Sequence, residues 1–336
     1  FAIVVFLSSA FFGAISGSSA ATVAAIGAIM VPAMLADGYP LKFSLATVAS
    51  GGFLGIIVPP SIPMVIYGMA SGASVSDVFM GGFIPGFMLA GGMSVYSVIW
   101  AIRHKDMLVS HKFSIHNVWV SFKNAIWALI MPLIVLGGIY GGVFNATEAA
   151  CVAVFYGLFV GVVIYKELNF KNIFQILRSS VVTTAMLLFV IAGATVFGLV
   201  LTRFNVPQTV AAGITTIATN RFMFWALVTV LLLIVGTFMD TCPAVMILTP
   251  IFTPALAAYG IDPVVFGVVM IINLGIGLCT PPVGLNLYVA AGLRKTTIEN
   301  VVGRDLWFYL LAAVTVLILL MAVPQIIMLL PSLMIK

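Results

Sequence analysis

Long apolar runs alternate with short polar stretches along the whole chain. Strand-like alternation is nowhere sustained, so the runs predict helices, and about 20 apolar residues suffice for a membrane crossing. Polar stretches lie at 103–118, 166–180 and 294–305, and the amphipathic middle one predicts a helix lying flat at the membrane surface. The apolar runs are 1–37, 41–68, 76–102, 121–143, 146–165, 181–202, 223–260, 263–289 and 306–333.

Composition places these runs in a bilayer. Of the 336 residues, 63% are hydrophobic and only 7% are charged, whereas about 25% is usual in soluble domains. So few charges cannot cover a soluble globule, which excludes a soluble enzyme, a nucleic-acid-binding protein and a disordered chain. Cys151, Cys242 and Cys279 lie in apolar runs without CxxC spacing, so no disulfide framework or zinc site is expected. The sequence predicts an all-α polytopic membrane protein.

An internal repeat appears when the chain is shifted by 222 residues along itself. Without any gap, segment Gly55–Pro60 then falls on segment Gly277–Pro282. Each copy places a Pro-Pro pair four residues after a glycine, and two such pairs in register are difficult to explain by chance. The repeat therefore predicts two structurally related halves.

Each half is predicted to contain a hairpin and a broken helix. Runs 1–37 and 223–260 are too long for one crossing and too short for two, at about 1.5 Å per residue and a core of about 30 Å. Each holds a small polar cluster, so both are predicted to be re-entrant hairpins with polar tips near the midplane. Runs 41–68 and 263–289 carry the Pro-Pro pairs, which remove backbone donors and break the helix.

The distribution of basic residues gives a topology. If both hairpins return to the side they entered from and every other run crosses once, eleven Lys and Arg residues share one side and three the other. This bias makes the first side cytoplasmic. The first hairpin then opens to the cytoplasm and the second to the outside, so the repeats are inverted. The eleven are Lys42, Arg103, Lys105, Lys112, Lys123, Lys166, Lys171, Arg178, Arg294, Lys295 and Arg304, and the three are Arg203, Arg221 and Lys336.

Broken helices in inverted repeats are typical of secondary transporters, which bind ion and substrate at the midplane. Two sets of oxygen-bearing residues are expected there: Ser16, Ser18 and Ser19 facing Gly55–Pro60, and Asp240 and Thr241 facing Gly277–Pro282 with Thr280. Hydroxyl, carboxylate and free carbonyl oxygens suit a small hard cation. The alternative interpretation is that Asp240 and the serines cap helices, and that the small serines also permit close helix packing.

Enzyme chemistry is not predicted. His104, His111 and His116 share one predicted cytoplasmic loop, far from the serine cluster, which argues against a serine protease. An intramembrane aspartyl protease needs two midplane carboxylates, whereas the topology places only Asp240 there. A proton pump usually strings several ionisable groups through the membrane. No HExxH motif is present.

A family resemblance is carried by four segments: FFGAISGSSAATVAAIGAIMVPAMLADGYP, GGFLGIIVPPSIPMVIYG, MDTCPAVMILTPIFTPAL and LGIGLCTPPVGLNLYV. They resemble the large membrane (M) subunit of bacterial TRAP (tripartite ATP-independent periplasmic) transporters, over essentially the whole chain, although family members usually carry further N-terminal helices. The resemblance implies an elevator transporter of the bacterial inner membrane, in which a mobile domain slides against a scaffold. It also implies sodium-coupled uptake of an organic acid such as sialic acid or a C4-dicarboxylate. The implied partners are a small four-helix membrane subunit and a soluble periplasmic substrate-binding protein.

The resemblance also assigns residues. Carried over position by position, it gives a first sodium site (Ser16, Ser18, Gly55, Val58 and Pro60), a second sodium site (Asp240, Gly277, Thr280 and Pro282) and a substrate site (Ser19, Thr241 and Asn286). The resemblance implies sodium as the coupling ion, and no other cofactor is expected.

The predicted organisation has three parts. Residues 1–102 form the first repeat, 103–222 scaffold and arm helices, and 223–336 the second repeat with a last scaffold helix. Two alternatives stay open, namely a divalent-anion/sodium symporter that needs no binding protein, and a membrane channel or structural subunit. The sequence does not fix the particular organic acid or the number of sodium ions moved per cycle.

Overall fold

A computed structural model describes residues 1–109 and 114–334 of the protein. Within these residues every regular element is helical, and eight helices are long and apolar enough to cross a membrane. Helices suit a bilayer because each satisfies its own backbone hydrogen bonds where no water is present. The prediction of an all-helical, multi-pass membrane protein is therefore confirmed. His111, Lys112 and Lys336 lie outside the described residues.

The chain forms two compact units. One unit comprises Phe1–Val109 with Gly198–Lys336, and therefore holds both segments related by the 222-residue shift. The other, Ser110–Phe197, holds the helices between those segments.

The N-terminal part of the first unit contains two interrupted apolar runs, as predicted. Only Gly17 and Ser18 separate the first two helices, and Gly17 has φ +62°, a left-handed conformation that glycine adopts without steric cost. The third helix ends in a 3-10 turn, Phe53–Ile56, ahead of the cis Pro59–Pro60 bond. The helices are α1 (Ala2–Ser16), α2 (Ser19–Ala36), α3 (Leu41–Gly52), α4 (Ile62–Ser71) and α5 (Val75–Arg103).

The second unit contains α6 (Ile115–Tyr140), α7 (Ala146–Phe159, followed by a π-helical turn) and most of α8 (Phe170–Arg203). The prediction that 166–180 forms a helix of its own at the membrane surface is wrong, because α8 begins at Phe170 and continues past residue 180 to Arg203 without a break. The chain offers no proline or glycine there to interrupt the helix before Gly193. With 34 residues, α8 is about 50 Å long and exceeds the roughly 30 Å hydrocarbon core.

The start of α7 carries a reciprocal cap. The Asn145 side chain accepts from the Glu148 N–H at 2.9 Å, and the Glu148 carboxylate accepts from the Asn145 N–H at 2.9 Å. Asn145 and Glu148 therefore form a capping box at the start of α7.

Replacing Asn145 by alanine is expected to destabilise the protein by about 1 kcal/mol, because the Glu148 N–H in the first turn loses its side-chain partner. Thermal unfolding in detergent would measure the change. Thr147→Ala is the matched control, since Thr147 is an exposed residue of the same turn and takes no part in the capping box. Equal stability of Asn145→Ala and Thr147→Ala would contradict the expectation.

The C-terminal part of the first unit departs from the prediction at two places. No apolar run was predicted between 181–202 and 223–260, but the chain there holds a short helix with Pro207 in its first turn. The last run is divided at Val323 and Pro324 into two helices. The helices are α9 (Val206–Ile217), α10 (Arg221–Phe238), α11 (Thr241–Leu256), α12 (Pro263–Gly277), α13 (Leu285–Gly292), α14 (Arg304–Ala322) and α15 (Gln325–Met334).

The two halves of the first unit repeat the same order of elements at the 222-residue shift. Ser18 caps α2 and the equivalent Asp240 caps α11, each after a helix that ends two residues earlier. The cis Pro59–Pro60 bond likewise falls on the cis Pro281–Pro282 bond. The similarity in sequence thus accompanies a similarity in helix order and break position.

The interrupted helices form the centre of the first unit. Every residue of α12 from Val264 to Gly277 is buried, and α3 is buried from Phe43 to Gly52. Helix α10 packs on α12, and α2 packs on α3. Buried Tyr309 of α14 lies 3.0 Å from the Thr47 hydroxyl of α3 and 2.9 Å from the Ser97 hydroxyl of α5. The breaks in α3 and α12 are therefore held in a packed core.

Candidate functional site

Three oxygen atoms cluster where α1 ends and α2 begins. The Thr22 hydroxyl donates to the Ser18 carbonyl at 2.8 Å. The Ser16 hydroxyl lies 3.3 Å from the Thr22 hydroxyl and 3.4 Å from the Ser18 carbonyl oxygen. Ser18 also caps α2 with its side chain, at a long 3.5 Å to the Ala21 N–H. The capping interpretation is thus seen in the structure, and the hydroxyl and carbonyl oxygens still converge.

Gly55, in the 3-10 turn after α3, lies directly against this oxygen cluster. A Cβ at Gly55 would collide with the Thr22 hydroxyl and lie 2.9 Å from the Ser18 carbonyl oxygen. On its other side Gly55 meets Gly13 of α1, where a Cβ would collide with the Gly55 backbone. Glycine at both positions lets the turn approach the tip closely enough to share its polar surroundings.

The Pro59–Pro60 break also reaches the tip. The Ile62 N–H donates to the Gly17 carbonyl at 3.3 Å, and a Cβ at Gly17 would lie 3.3 Å from the Pro60 carbonyl oxygen. Val58 donates its N–H to the Leu54 carbonyl at 2.9 Å, and no hydrogen bond within the described residues joins it to the tip. The structure therefore brings Ser16, Ser18, Gly55 and Pro60 together, whereas Val58 is not joined to them among the described residues.

Thr22 was missed by the sequence reasoning. It is fully buried and supplies the hydroxyl that bonds the tip carbonyl. Its position four residues after Ser18 is a usable signal, because residues at that spacing share one face of a helix.

The second break is organised around the end of α10. The Gly284 N–H donates to the Thr237 carbonyl at 3.0 Å, and a Cβ at Gly277 would lie 2.6 Å from the Gly236 Cα. The Thr280 hydroxyl donates to the Ile276 carbonyl of its own helix at 2.8 Å. The chain ahead of Asp240 is thus packed against the break. Among the described residues, no hydrogen bond joins the Asp240 carboxylate to Thr280 or Pro282.

Asp240 caps α11, as the alternative interpretation held. One carboxylate oxygen accepts from the Thr241 N–H at 2.8 Å, and the side chain is exposed. A carboxylate accepts about four hydrogen bonds or ligand contacts, so a single cap leaves most of its capacity free. Thr241 itself is buried, and its hydroxyl has no hydrogen-bond partner among the described residues.

Two of the three predicted substrate residues bond each other. The Ser19 hydroxyl donates to the Asn286 side-chain oxygen at 2.9 Å, and both side chains are buried. The Asn286 amide nitrogen donates to the Ala49 carbonyl at 3.2 Å. In this arrangement Ser19 and Asn286 face one another, and Thr241 is the member of the set with an unused hydroxyl.

The groups around the two breaks are neutral hydroxyl and carbonyl oxygens, together with one carboxylate. Among the described residues, no group of three or more His, Cys, Asp or Glu side chains is placed to hold a metal ion. Hydroxyl and carbonyl oxygens bind hard cations such as sodium rather than transition metals. The donor set at the first tip therefore fits an alkali-metal ion.

These features define a multi-pass membrane protein with two discontinuous helices, each packed against a capped polar tip. Residues 1–326 match the model of the family "Tripartite ATP-independent periplasmic transporter, DctM component", so the chain belongs to that family. The family resemblance found in the sequence is therefore confirmed.

Relatives of known name agree with this assignment. The C4-dicarboxylate TRAP transporter large permease protein DctM of Rhodobacter capsulatus is 38% identical over 341 residues, covering 97% of this chain and 77% of the relative. The 2,3-diketo-L-gulonate TRAP transporter large permease protein YiaN of Escherichia coli is 37% identical over 323 residues, covering 96% and 76%. The isethionate TRAP transporter permease protein DctMQ of Oleidesulfovibrio alaskensis is 42% identical over 298 residues, covering 86% and 46%. The chain thus spans about half of the isethionate relative.

Proposed function

We propose that this chain forms the large membrane subunit of a sodium-coupled secondary transporter that imports an organic acid anion. Family membership supports transport rather than catalysis. The observation that supports sodium coupling is the convergence of the Ser16 hydroxyl, the Ser18 carbonyl and the Thr22 hydroxyl against Gly55. One cation would bind there, with the Pro60 carbonyl nearby, and a second would bind between Asp240 and the break at Gly277–Pro282.

The helix ends at the breaks fit both charges of a symporter. Carbonyls at a helix C-terminus carry partial negative charge and stabilise cations, and N–H groups at an N-terminus stabilise anions. Four helices end at the tips or breaks with their C-termini, namely α1, α3, α10 and α12. Four others begin there with their N-termini, namely α2, α4, α11 and α13. A sodium ion would thus bind beside the former, and a carboxylate or sulfonate near the latter, with the unused Thr241 hydroxyl as one donor.

The proposal includes inverted repeats and an elevator motion. It is supported by the repeated order of helices and by the excess of basic residues on one predicted side. In this proposal the unit that holds both breaks moves as the carrier, in the cytoplasmic membrane of a bacterium.

The substrate class follows from the names of relatives. Those names specify a C4-dicarboxylate, 2,3-diketo-L-gulonate and isethionate, and we propose a small organic acid of this kind. Sialic acid, the other predicted substrate, stays a prediction. A periplasmic binding protein would deliver the acid, and a small membrane subunit would complete the membrane complex.

The test is uptake of labelled C4-dicarboxylate, diketogulonate and isethionate into proteoliposomes that contain the large and small subunits. An inward sodium gradient with the binding protein present is expected to accelerate uptake of one acid at least about tenfold over an equal potassium gradient. Equal uptake in potassium would contradict sodium coupling. Equal uptake without the binding protein would favour the divalent-anion/sodium symporter, and currents far above carrier turnover would favour a channel.

A further inference from the structure

A buried polar cluster joins the two breaks through Asn286. Its side-chain oxygen accepts from the Ser19 hydroxyl at 2.9 Å. Its amide nitrogen donates to the Ala49 carbonyl at 3.2 Å and lies 3.3 Å from the Cys279 sulfur. The Cys279 thiol also donates to the Ala49 carbonyl at 3.2 Å. Ser19 is 4% exposed and the other three residues are fully buried, so water does not compete for these bonds.

The partners of Asn286 come from both halves of the repeat. Ser19 follows directly on the Ser18 cap at the first tip, and Ala49 belongs to α3. Cys279 directly precedes Thr280 of the second break, and Asn286 lies in the first turn of α13 just after it. A shift of either break would therefore change bonds that the other break also uses.

The packing around the cluster leaves little freedom. A Cβ at Gly52 would lie 3.1 Å from the Asn286 amide nitrogen and 3.3 Å from the Ser19 carbonyl oxygen. Asn286 thus fills the space between α3 and the start of α2. Because interiors at this density switch between discrete arrangements, a displaced tip is transmitted to the break.

The hydrogen bond between Ser19 and Asn286, called the bridge below, is not repeated in the other half of the fold. At the 222-residue shift, Ser19 corresponds to Thr241 and Asn286 corresponds to Met64. Methionine offers no comparable hydrogen bond, and the Thr241 hydroxyl has no partner among the described residues. General packing of the repeat would not require an asparagine at one of two equivalent positions, so the asymmetry points to a role in linking the halves.

We infer that Asn286 is a positioning residue that couples the two sodium sites, so that an ion at the first tip favours the ion-binding arrangement of the second break. The inference rests on the proposed function. It assigns Ser19 and Asn286 to the link between the sites, instead of to direct contact with substrate. By thermodynamic reciprocity, binding at the second site favours binding at the first by the same factor.

The experiment is the sodium dependence of uptake by the reconstituted complex, for wild type and Asn286→Ala. Wild type is expected to show a Hill coefficient near 2, and Asn286→Ala one near 1 with a half-saturating sodium concentration about tenfold higher. Asn273→Ala is the matched control. Asn273 is an equally buried asparagine of α12, and among the described residues its side chain bonds only the Val269 carbonyl of its own helix, at 2.9 Å.

A second readout uses Cys279 and does not require transport. Because Cys279 is buried, N-ethylmaleimide reaches it only when the cluster opens. In a protein with Cys151 and Cys242 replaced by alanine, this alkylation is expected to slow at least about fivefold on adding sodium. Asn286→Ala should abolish this protection, and Asn273→Ala should retain it. Ser19→Ala serves if Asn286→Ala does not fold, because it removes only the bridge and should lower the Hill coefficient in the same direction.

The outcomes separate this inference from the proposed function. Uptake that ignores sodium would overturn the proposed function, and the inference with it. Sodium-dependent uptake with a Hill coefficient of 1 in wild type, or an unchanged coefficient in Asn286→Ala, would overturn the inference alone. So would Ser19→Ala that raises the half-saturating substrate concentration without changing the sodium dependence, because Ser19 would then contact substrate.

Discussion

Replacing Asp240 by asparagine is expected to raise the sodium concentration for half-maximal uptake by about 10- to 100-fold. The substitution removes a full negative charge from the proposed second sodium site, while asparagine caps a helix as well as aspartate does. The cap observed at the Thr241 N–H is therefore retained, and the change isolates ion binding from capping. Uptake by proteoliposomes at a series of sodium concentrations measures the effect.

Asp262→Asn is the matched control. Asp262 caps α12 by accepting from the Val264 N–H at 2.7 Å, so it makes the same kind of cap away from the two breaks. Its replacement should leave the sodium dependence unchanged. If both variants shift the half-saturating sodium concentration equally, or neither variant shifts it, the carboxylate of Asp240 acts only as a cap.

Replacing Gly55 by alanine is expected to cost about 1–3 kcal/mol of stability and to reduce uptake at least about tenfold. The added methyl group would collide with the Thr22 hydroxyl and lie 2.9 Å from the Ser18 carbonyl oxygen. It would thus separate the oxygen atoms that the proposed first sodium site needs. Thermal unfolding with and without sodium measures stability, and uptake measures function.

Gly91→Ala provides the comparison, because a Cβ at this exposed position of α5 meets no atom within 4 Å. Alanine there should be neutral or slightly stabilising, since it favours the helix more than glycine does. Stability that increases with sodium in wild type and Gly91→Ala, but not in Gly55→Ala, is the expected pattern. Full sodium stabilisation of Gly55→Ala would contradict the proposed first site.

The helix breaks could be predicted from the sequence because their causes are local. Proline removes a backbone donor wherever it lies, and the pairs at Pro59–Pro60 and Pro281–Pro282 mark both interruptions. The membrane class follows equally directly from a charged fraction of 7%. Capping by Asp240 was one of the two interpretations that the sequence left open, since capping depends on residues within one turn.

Features set by contacts across the fold could not be predicted in this way. The amphipathic pattern of 166–180 does not reveal that the helix beginning at Phe170 continues to Arg203, because periodicity identifies a helix face and not where the helix ends. Helix α9 is too short for a distinct apolar run. The Ser19–Asn286 bond joins residues 267 positions apart, and only the packing of α2 against α13 brings them together.

Direct measurement of sodium movement tests the central claim most closely. Proteoliposomes with both membrane subunits would receive radioactive sodium and a labelled C4-dicarboxylate or related acid, with and without the binding protein. The account expects sodium to enter together with substrate, in a fixed ratio above one, and not when substrate or binding protein is omitted. Accumulation of the acid without any sodium entry would contradict it.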